Sequence, residues 1–154
     1  MASVRVVKTH PALAAPPINP AMTSASTPAQ PRYHTAQRYT DRTGKAAYIA
    51  AKYAPILVGR VLDVGCDQRQ LRAHLPAAAG YHGVDMNPVA DTVLNLEEQD
   101  LPFEDGAFDT VICADVLEHL ERLHGVFDEL CRVSRSRVII SLPNPVRSLM
   151  LAIA

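Results

Sequence analysis

The chain has 154 residues, of which 48% are hydrophobic and 20% charged, and its formal net charge is −1. This composition is typical of one globular domain, and no continuous apolar stretch is long enough to span a membrane. The charges are unevenly distributed: residues 1–40 hold four basic side chains and no acidic one, which leaves eleven basic and all sixteen acidic residues to the rest. The excess of acidic residues in positions 41–154 argues against nucleic acid as the main ligand.

The first 40 residues differ in composition from the remainder. They contain six of the twelve prolines and show no hydrophobic period, a pattern that favours disorder. The sequence therefore predicts a disordered Pro/Ala-rich tail over residues 1–40 and a folded domain over residues 41–154.

Helical and strand patterns alternate from Thr43 onward. Thr43 is the predicted N-cap of a helix that ends at Pro55, and a helical stretch is predicted over residues 68–75. Helical spacing returns over residues 116–130, where Gly125 is expected to divide it. The predicted strands are Arg60–Val64, residues 81–84, residues 92–96, Phe108–Ala114 and residues 137–142. This alternation predicts a Rossmann-like α/β fold, a doubly wound and mainly parallel sheet with helices on both faces.

Ligands of such sheets bind beyond the carboxyl ends of the strands, so the residues that follow each strand form the candidate site. Acidic, small and apolar residues gather there, without a Walker lysine or a nucleophile elbow. Asp85 lies 20 residues after Gly65, where an acid can accept hydrogen bonds from both hydroxyls of a ribose; a turn cap is the alternative. Met86 beside it can pack on an adenine ring or fill the core.

The cysteines indicate the compartment. Cys66, Cys113 and Cys131 are widely spaced and odd in number, which fits neither a disulfide framework nor a zinc site. His119 and His124 have no second His or Cys at helical ligand spacing. We therefore expect buried thiols, no metal site and a cytoplasmic protein.

Four segments in this order, VLDVGC, GVDMNP, DLPFEDGAFDTVICADVLEHL and RVIISLPNP, resemble the class I methyltransferases that use S-adenosylmethionine. The similarity is closest to the type 11/12 methyltransferase domains and covers residues 60–145. It implies methyl transfer from S-adenosylmethionine to a small-molecule, lipid or glycan-type acceptor.

The resemblance also implies roles for individual residues. Asp63, Gly65 and Cys66 would belong to the first cofactor motif, beside the methionine moiety, and Asp85 would bind the ribose diol with Met86 next to it. The adenine would be edged by Asn95, Leu96 and Glu97, and the methionine amino group would lie near the backbone of Cys113 and Ala114. His119, one helical turn beyond Asp115, is the candidate general base, with a packing role as the alternative.

Two other functions fit the same residues. One is a non-catalytic subunit that binds the cofactor or a partner protein. The other is a nicotinamide-dependent oxidoreductase. The absence of the motif G-x-G-x-x-G argues against it, because Asp67 and Gln70 stand where that motif has its second and third glycines after Gly65.

The sequence departs from the family pattern in two places. Asp67 and Arg69 stand at usual glycine positions of the first motif. Asp67 is expected to repel the cofactor carboxylate. Arg69 is expected to offset this repulsion by pairing with Asp67 or with the cofactor carboxylate. Only five strands of the seven-stranded fold are predicted, so the domain is expected to be C-terminally truncated. The exposed edge of the last strand would then favour a partner protein or an oligomer.

Overall fold

The computed structural model describes residues 3–8, 39 and 41–142. The strands are β1 (Ser3–Lys8), β2 (Arg60–Val64), β3 (Gly80–Asp85), β4 (Thr92–Val93), β5 (Phe108–Ala114) and β6 (Ser134–Leu142). The helices are α1 (Arg42–Tyr53) and α2 (Leu123–Val133), with 3₁₀ turns at Ala54–Ile56, Gln70–His74 and Leu117–His119. No helix among these residues is long and apolar enough to cross a bilayer.

The six strands form one sheet in the order β1-β6-β5-β2-β3-β4. The strands from β2 to β6 pair in parallel, and β1 pairs antiparallel with β6. The chain runs outward from β2 to β4 and then returns to place β5 on the other side of β2. This reversal of strand order is where doubly wound sheets bind ligands, and it confirms the predicted fold class.

Side chains on the central strands alternate between two cores. On β5, Val111 and Cys113 pack under α2, whereas Ile112 packs under α1 together with Val61 of β2. Both faces are therefore covered, which explains why these strands read as nearly continuous apolar runs. The bounds of β2 and β5 are those predicted.

The helices differ from the prediction at their ends. The N-cap of α1 is Asp41 and not Thr43, because the Oδ1 atom of Asp41 accepts a hydrogen bond of 2.7 Å from the backbone N–H of Gly44. The helical segment after β5 divides at Leu120, which is extended, and not at Gly125, which lies inside α2. The helical stretch predicted over residues 68–75 is only a 3₁₀ turn.

The strand predicted over residues 92–96 ends at Val93. The carbonyl of Asn95 accepts hydrogen bonds from the backbone N–H groups of Glu98 and Gln99, so the chain turns there instead of continuing along β3.

Residues 3–8 differ from the predicted tail, since they form β1. Its register with β6 runs from Ser3 opposite Leu142 to Lys8 opposite Arg137, so the edge of β6 that we expected to be open is paired. Main-chain pairing needs no hydrophobic period, which is why the composition did not predict it. The remaining residues assigned to the tail, apart from Tyr39, lie outside the described residues, as do residues 143–154.

Candidate ligand-binding site

Two adjoining cavities lie at the carboxyl ends of β2, β3 and β5, with volumes of about 450 Å³ and about 70 Å³. The larger falls in the range of about 300–1,000 Å³ that is usual for small-molecule sites. Residues that line both cavities are Arg42, Gly65, Asp67 and Asp115. The two cavities therefore form one elongated site with a wide and a narrow part.

Nine of the ten predicted binding residues line this site. The wide part is lined by Gly65, Asp85, Met86, Asn95, Leu96 and Glu97, and the narrow part by Asp63, Gly65, Cys66 and Ala114. The side chain of Cys113 is fully buried under α2 and lines neither part. His119 lines the wide part.

Asp85 closes β3 and is held by two backbone groups. Its Oδ2 accepts from the N–H of Asp67 at 2.8 Å, and its Oδ1 accepts from the N–H of Asn87 at 2.9 Å. The carboxylate therefore caps a turn, as in the alternative interpretation. Each carboxylate oxygen has a second lone pair, so the capping leaves acceptor capacity for a ligand hydroxyl.

The turn after β2 has a left-handed backbone at three alternate residues. The φ angles are +77° at Gly65, +46° at Asp67 and +59° at Arg69. Asp67 and Arg69 thus adopt the conformation for which glycine is usual, at a cost of about 1–2 kcal/mol each. At Gly65 itself, a Cβ atom would overlap a methyl group of Val116, so a side chain there would displace Val116.

The ion pairs of this turn differ from those we expected. Arg69 forms no ion pair with Asp67 and lines neither cavity; its Nη2 lies 2.6 Å from an oxygen of Asp91. Asp67 instead pairs with Arg42 at 3.2 Å and accepts from the side-chain amide of Gln70 at 3.3 Å. The two ion-pair partners, Arg42 and Asp91, come from segments distant in sequence, which local spacing cannot reveal.

The helix α1 brings two cations to the site that sequence reasoning missed. Arg42 lines both parts, and Lys45, which is 6% exposed, lines the narrow part and pairs with Asp115. Asp115 has a φ of +56° and its Oδ1 accepts from the Ser141 hydroxyl at 3.0 Å. The sequence signal that could have revealed these two cations is the presence of two basic residues, three positions apart, in the first turn of the helix.

The narrow part holds a buried acid. Asp63 is 6% exposed, and its Oδ2 accepts a hydrogen bond of 2.8 Å from the Tyr81 hydroxyl. Burial raises the pKa of Asp63 to about 7, the bond from Tyr81 opposes this, and the charge of Asp85 adds to it. Burial and the charge of Asp63 also raise the pKa of the Cys66 thiol to about 12, so the thiol stays protonated.

Glu97 uses its carboxylate for a structural purpose. The two oxygens accept from the backbone N–H groups of Glu121 at 2.7 Å and Arg122 at 3.3 Å, just before α2. Glu97 therefore borders the wide part while holding the turn that leads into α2. Among residues 41–142, no group of three His, Cys, Asp or Glu side chains is arranged to hold a metal ion.

Residues 62–142 match the family described as "Methyltransferase domain", which is more than half of the chain. The chain therefore belongs to the methyltransferase domain family, as the resemblance implied. No match was found among curated proteins.

Solved structures agree with this fold. The YcgJ protein of Bacillus subtilis is 21% identical with a TM-score of 0.52, and the similarity covers 62% of this chain and 49% of that one. An S-adenosylmethionine-dependent methyltransferase of Mesorhizobium loti is 20% identical with a TM-score of 0.50, covering 68% of this chain and 57% of that one. At these identities the similarity establishes the fold alone. The chain spans about half the length of these structures.

Proposed function

We propose that this domain binds S-adenosylmethionine in the elongated site and transfers its methyl group to a small-molecule, lipid or glycan-type acceptor. The observation that carries the proposal is the pair of joined cavities at the reversal of strand order, with Asp85 in the wide part and Asp63 in the narrow part. The wide part suits a nucleoside, and the narrow part suits the amino-acid end.

The charges of the lining residues fit this ligand. Five carboxylates and two cations face the site, and the ligand has two positive groups, a sulfonium and an ammonium, and one carboxylate. The carboxylates are Asp63, Asp67, Asp85, Glu97 and Asp115, and the cations are Arg42 and Lys45. An acidic site that also holds two cations is complementary to such a charge distribution.

The proposed roles follow the contacts. Asp85 accepts from the ribose hydroxyls, and Met86, which is 67% exposed, covers one face of the adenine. Asn95 and Leu96 border the adenine edge. At the other end, Asp63 lies near the ammonium group, beside the backbone of Cys113 and Ala114.

When bound, S-adenosylmethionine supplies an activated methyl group whose leaving group is a neutral thioether. The residues of this chain therefore contribute mainly by binding and orienting the reactants. His119 lies in the lining of the wide part, where its imidazole can accept a proton from an acceptor that must lose one.

A calorimetric titration with S-adenosylhomocysteine and, separately, with NAD tests the proposal. We expect saturable binding of S-adenosylhomocysteine alone. Binding of NAD alone would overturn the proposal in favour of an oxidoreductase. Binding of S-adenosylhomocysteine without methyl transfer to any acceptor tested would favour the non-catalytic subunit instead.

A further inference from the structure

Arg42 occupies an unusual position in the site. It lies outside the family match, at the start of α1, and yet borders both parts of the elongated site. Its side chain is 74% exposed and its guanidinium lies 3.2 Å from a carboxylate oxygen of Asp67, which is itself 31% exposed. Because water screens such a pair, it is weak and can be exchanged for another anion at little cost.

The second cation of the site is held differently. Lys45 is buried, and its partner Asp115 is fixed in turn by the hydroxyl of Ser141. Breaking that pair would leave a buried charge without a partner, which is costly. Of the two cations, Arg42 is therefore the one free to change its partner.

Asp67 is anchored independently of Arg42. Its backbone N–H donates to Asp85, and its carboxylate accepts from the side chain of Gln70. The turn can therefore keep its shape when the guanidinium moves away. A guanidinium has five N–H donors in a planar fork, which match a carboxylate in two parallel hydrogen bonds.

We propose that Arg42 exchanges partners when the site is filled: the carboxylate of the ligand's amino-acid end takes the place of Asp67 on the guanidinium. Asp67 is then an internal competitor for the ligand carboxylate, and Arg42 is a specificity-determining residue for ligands that carry one. This inference rests on the proposed function, and it changes the role of Asp67 from simple repulsion to competition for one cation.

The test compares two ligands that differ in one group. S-adenosylhomocysteine carries the carboxylate, and its decarboxylated analogue keeps the ammonium, thioether and adenosine. Both are titrated by calorimetry into the wild type, Arg42→Gln and Asp67→Asn, with Arg72→Gln as the matched control, because Arg72 is exposed and lines neither cavity. Asparagine tolerates the left-handed backbone of Asp67, so the turn is preserved.

We expect Arg42→Gln to weaken binding of S-adenosylhomocysteine about three- to tenfold, and Asp67→Asn to strengthen it about threefold. Neither variant should change the affinity of the decarboxylated analogue by more than about twofold, and Arg72→Gln should change neither ligand.

Two results would overturn the exchange: equal changes in the affinities of the two ligands, or weaker binding of S-adenosylhomocysteine to Asp67→Asn. The ion pair between Arg42 and Asp67 would then have a structural role only. If neither ligand binds the wild type, the proposed function itself fails and the inference fails with it. Thermal unfolding of each variant identifies any loss of binding that comes from loss of fold.

Discussion

Asp85 combines two tasks in one carboxylate. It caps the turns that begin at Asp67 and Asn87, and it faces the wide part of the site. The carboxylate can cap the turns and still accept from a ligand, so the turn-cap and ribose interpretations of this residue do not compete.

We predict that Asp85→Ala weakens binding of S-adenosylhomocysteine about ten- to a hundredfold, because two hydrogen bonds to a charged acceptor are worth about 1.5–3 kcal/mol. Asp85→Asn, which keeps one acceptor oxygen for the turn, should weaken it about tenfold. Calorimetric titration measures both. Unchanged affinity in the folded Asn variant would remove Asp85 from the ribose site.

Asp63 makes the stability of the domain depend on pH. Its folded-state pKa of about 7 lies well above the ordinary value for an aspartate, because burial disfavours the charged form. The unfolded chain releases this proton near about pH 4, whereas the folded chain keeps it until about pH 7. The stabilisation is therefore fully present below pH 4 and is lost as the pH rises through 7.

We predict that the free energy of unfolding falls between about pH 4 and 7 by at most about 4 kcal/mol through this group, and that Asp63→Asn removes that contribution. Urea unfolding across this range measures it, with the exposed Asp128→Asn as control. The same pH slope in wild type and Asp63→Asn would show that folding leaves the pKa of Asp63 unchanged.

The start of α2 depends on a side chain from outside the helix. The carboxylate of Glu97 accepts from the N–H groups of Glu121 and Arg122, the two residues that precede the first helical residue, Leu123. The helical segment therefore divides at Leu120 and not at Gly125, although glycine is a weaker helix former than leucine.

We predict that Glu97→Ala lowers the free energy of unfolding by about 1–2 kcal/mol, because it removes the acceptor of two backbone hydrogen bonds. Chemical denaturation measures the change. Glu98→Ala, which removes an exposed acid next in sequence, should have little effect. Equal effects of the two substitutions would show that the carboxylate of Glu97 does not stabilise the turn before α2.

The strand β1 completes the edge of the sheet through its main chain. In an antiparallel edge strand, N–H groups point alternately toward the neighbouring strand and away from it. A proline removes one N–H, and its effect therefore depends on which of two consecutive positions it occupies.

We predict that one of Val6→Pro and Val7→Pro lowers the free energy of unfolding by about 1–3 kcal/mol and that the other costs clearly less. These residues stand opposite Ile139 and Val138 of β6, whose amide hydrogens should exchange faster in the more affected variant. If both variants match the wild type in stability and exchange, β1 does not pair with β6 in solution.

At the scale of the whole molecule, the site exists because the sheet reverses its strand order. The turn after β2, the end of β3 and the residues after β5 are far apart in sequence and meet at one edge. The helix α1 then adds Arg42 and Lys45 from a segment that precedes the family match. The elongated shape follows from these placements and belongs to no single motif.

The sequence alone determined the fold class, the family and the bounds of β2 and β5. Strands that are buried on both faces read as continuous apolar runs between turn residues, so their limits are visible without coordinates. It also determined which residues follow the strands, and nine of the ten predicted binding residues line the cavities. Their roles toward a ligand remain predictions.

Only the tertiary structure decided which charges meet. Asp67 pairs with Arg42 and not with Arg69, which contacts Asp91 instead. The pairing of β1 with β6 was equally invisible. The physical reason is the same for both: an ion pair or a main-chain ladder depends on the distance between segments remote in sequence, whereas a sequence pattern reports only which face of its own segment is buried.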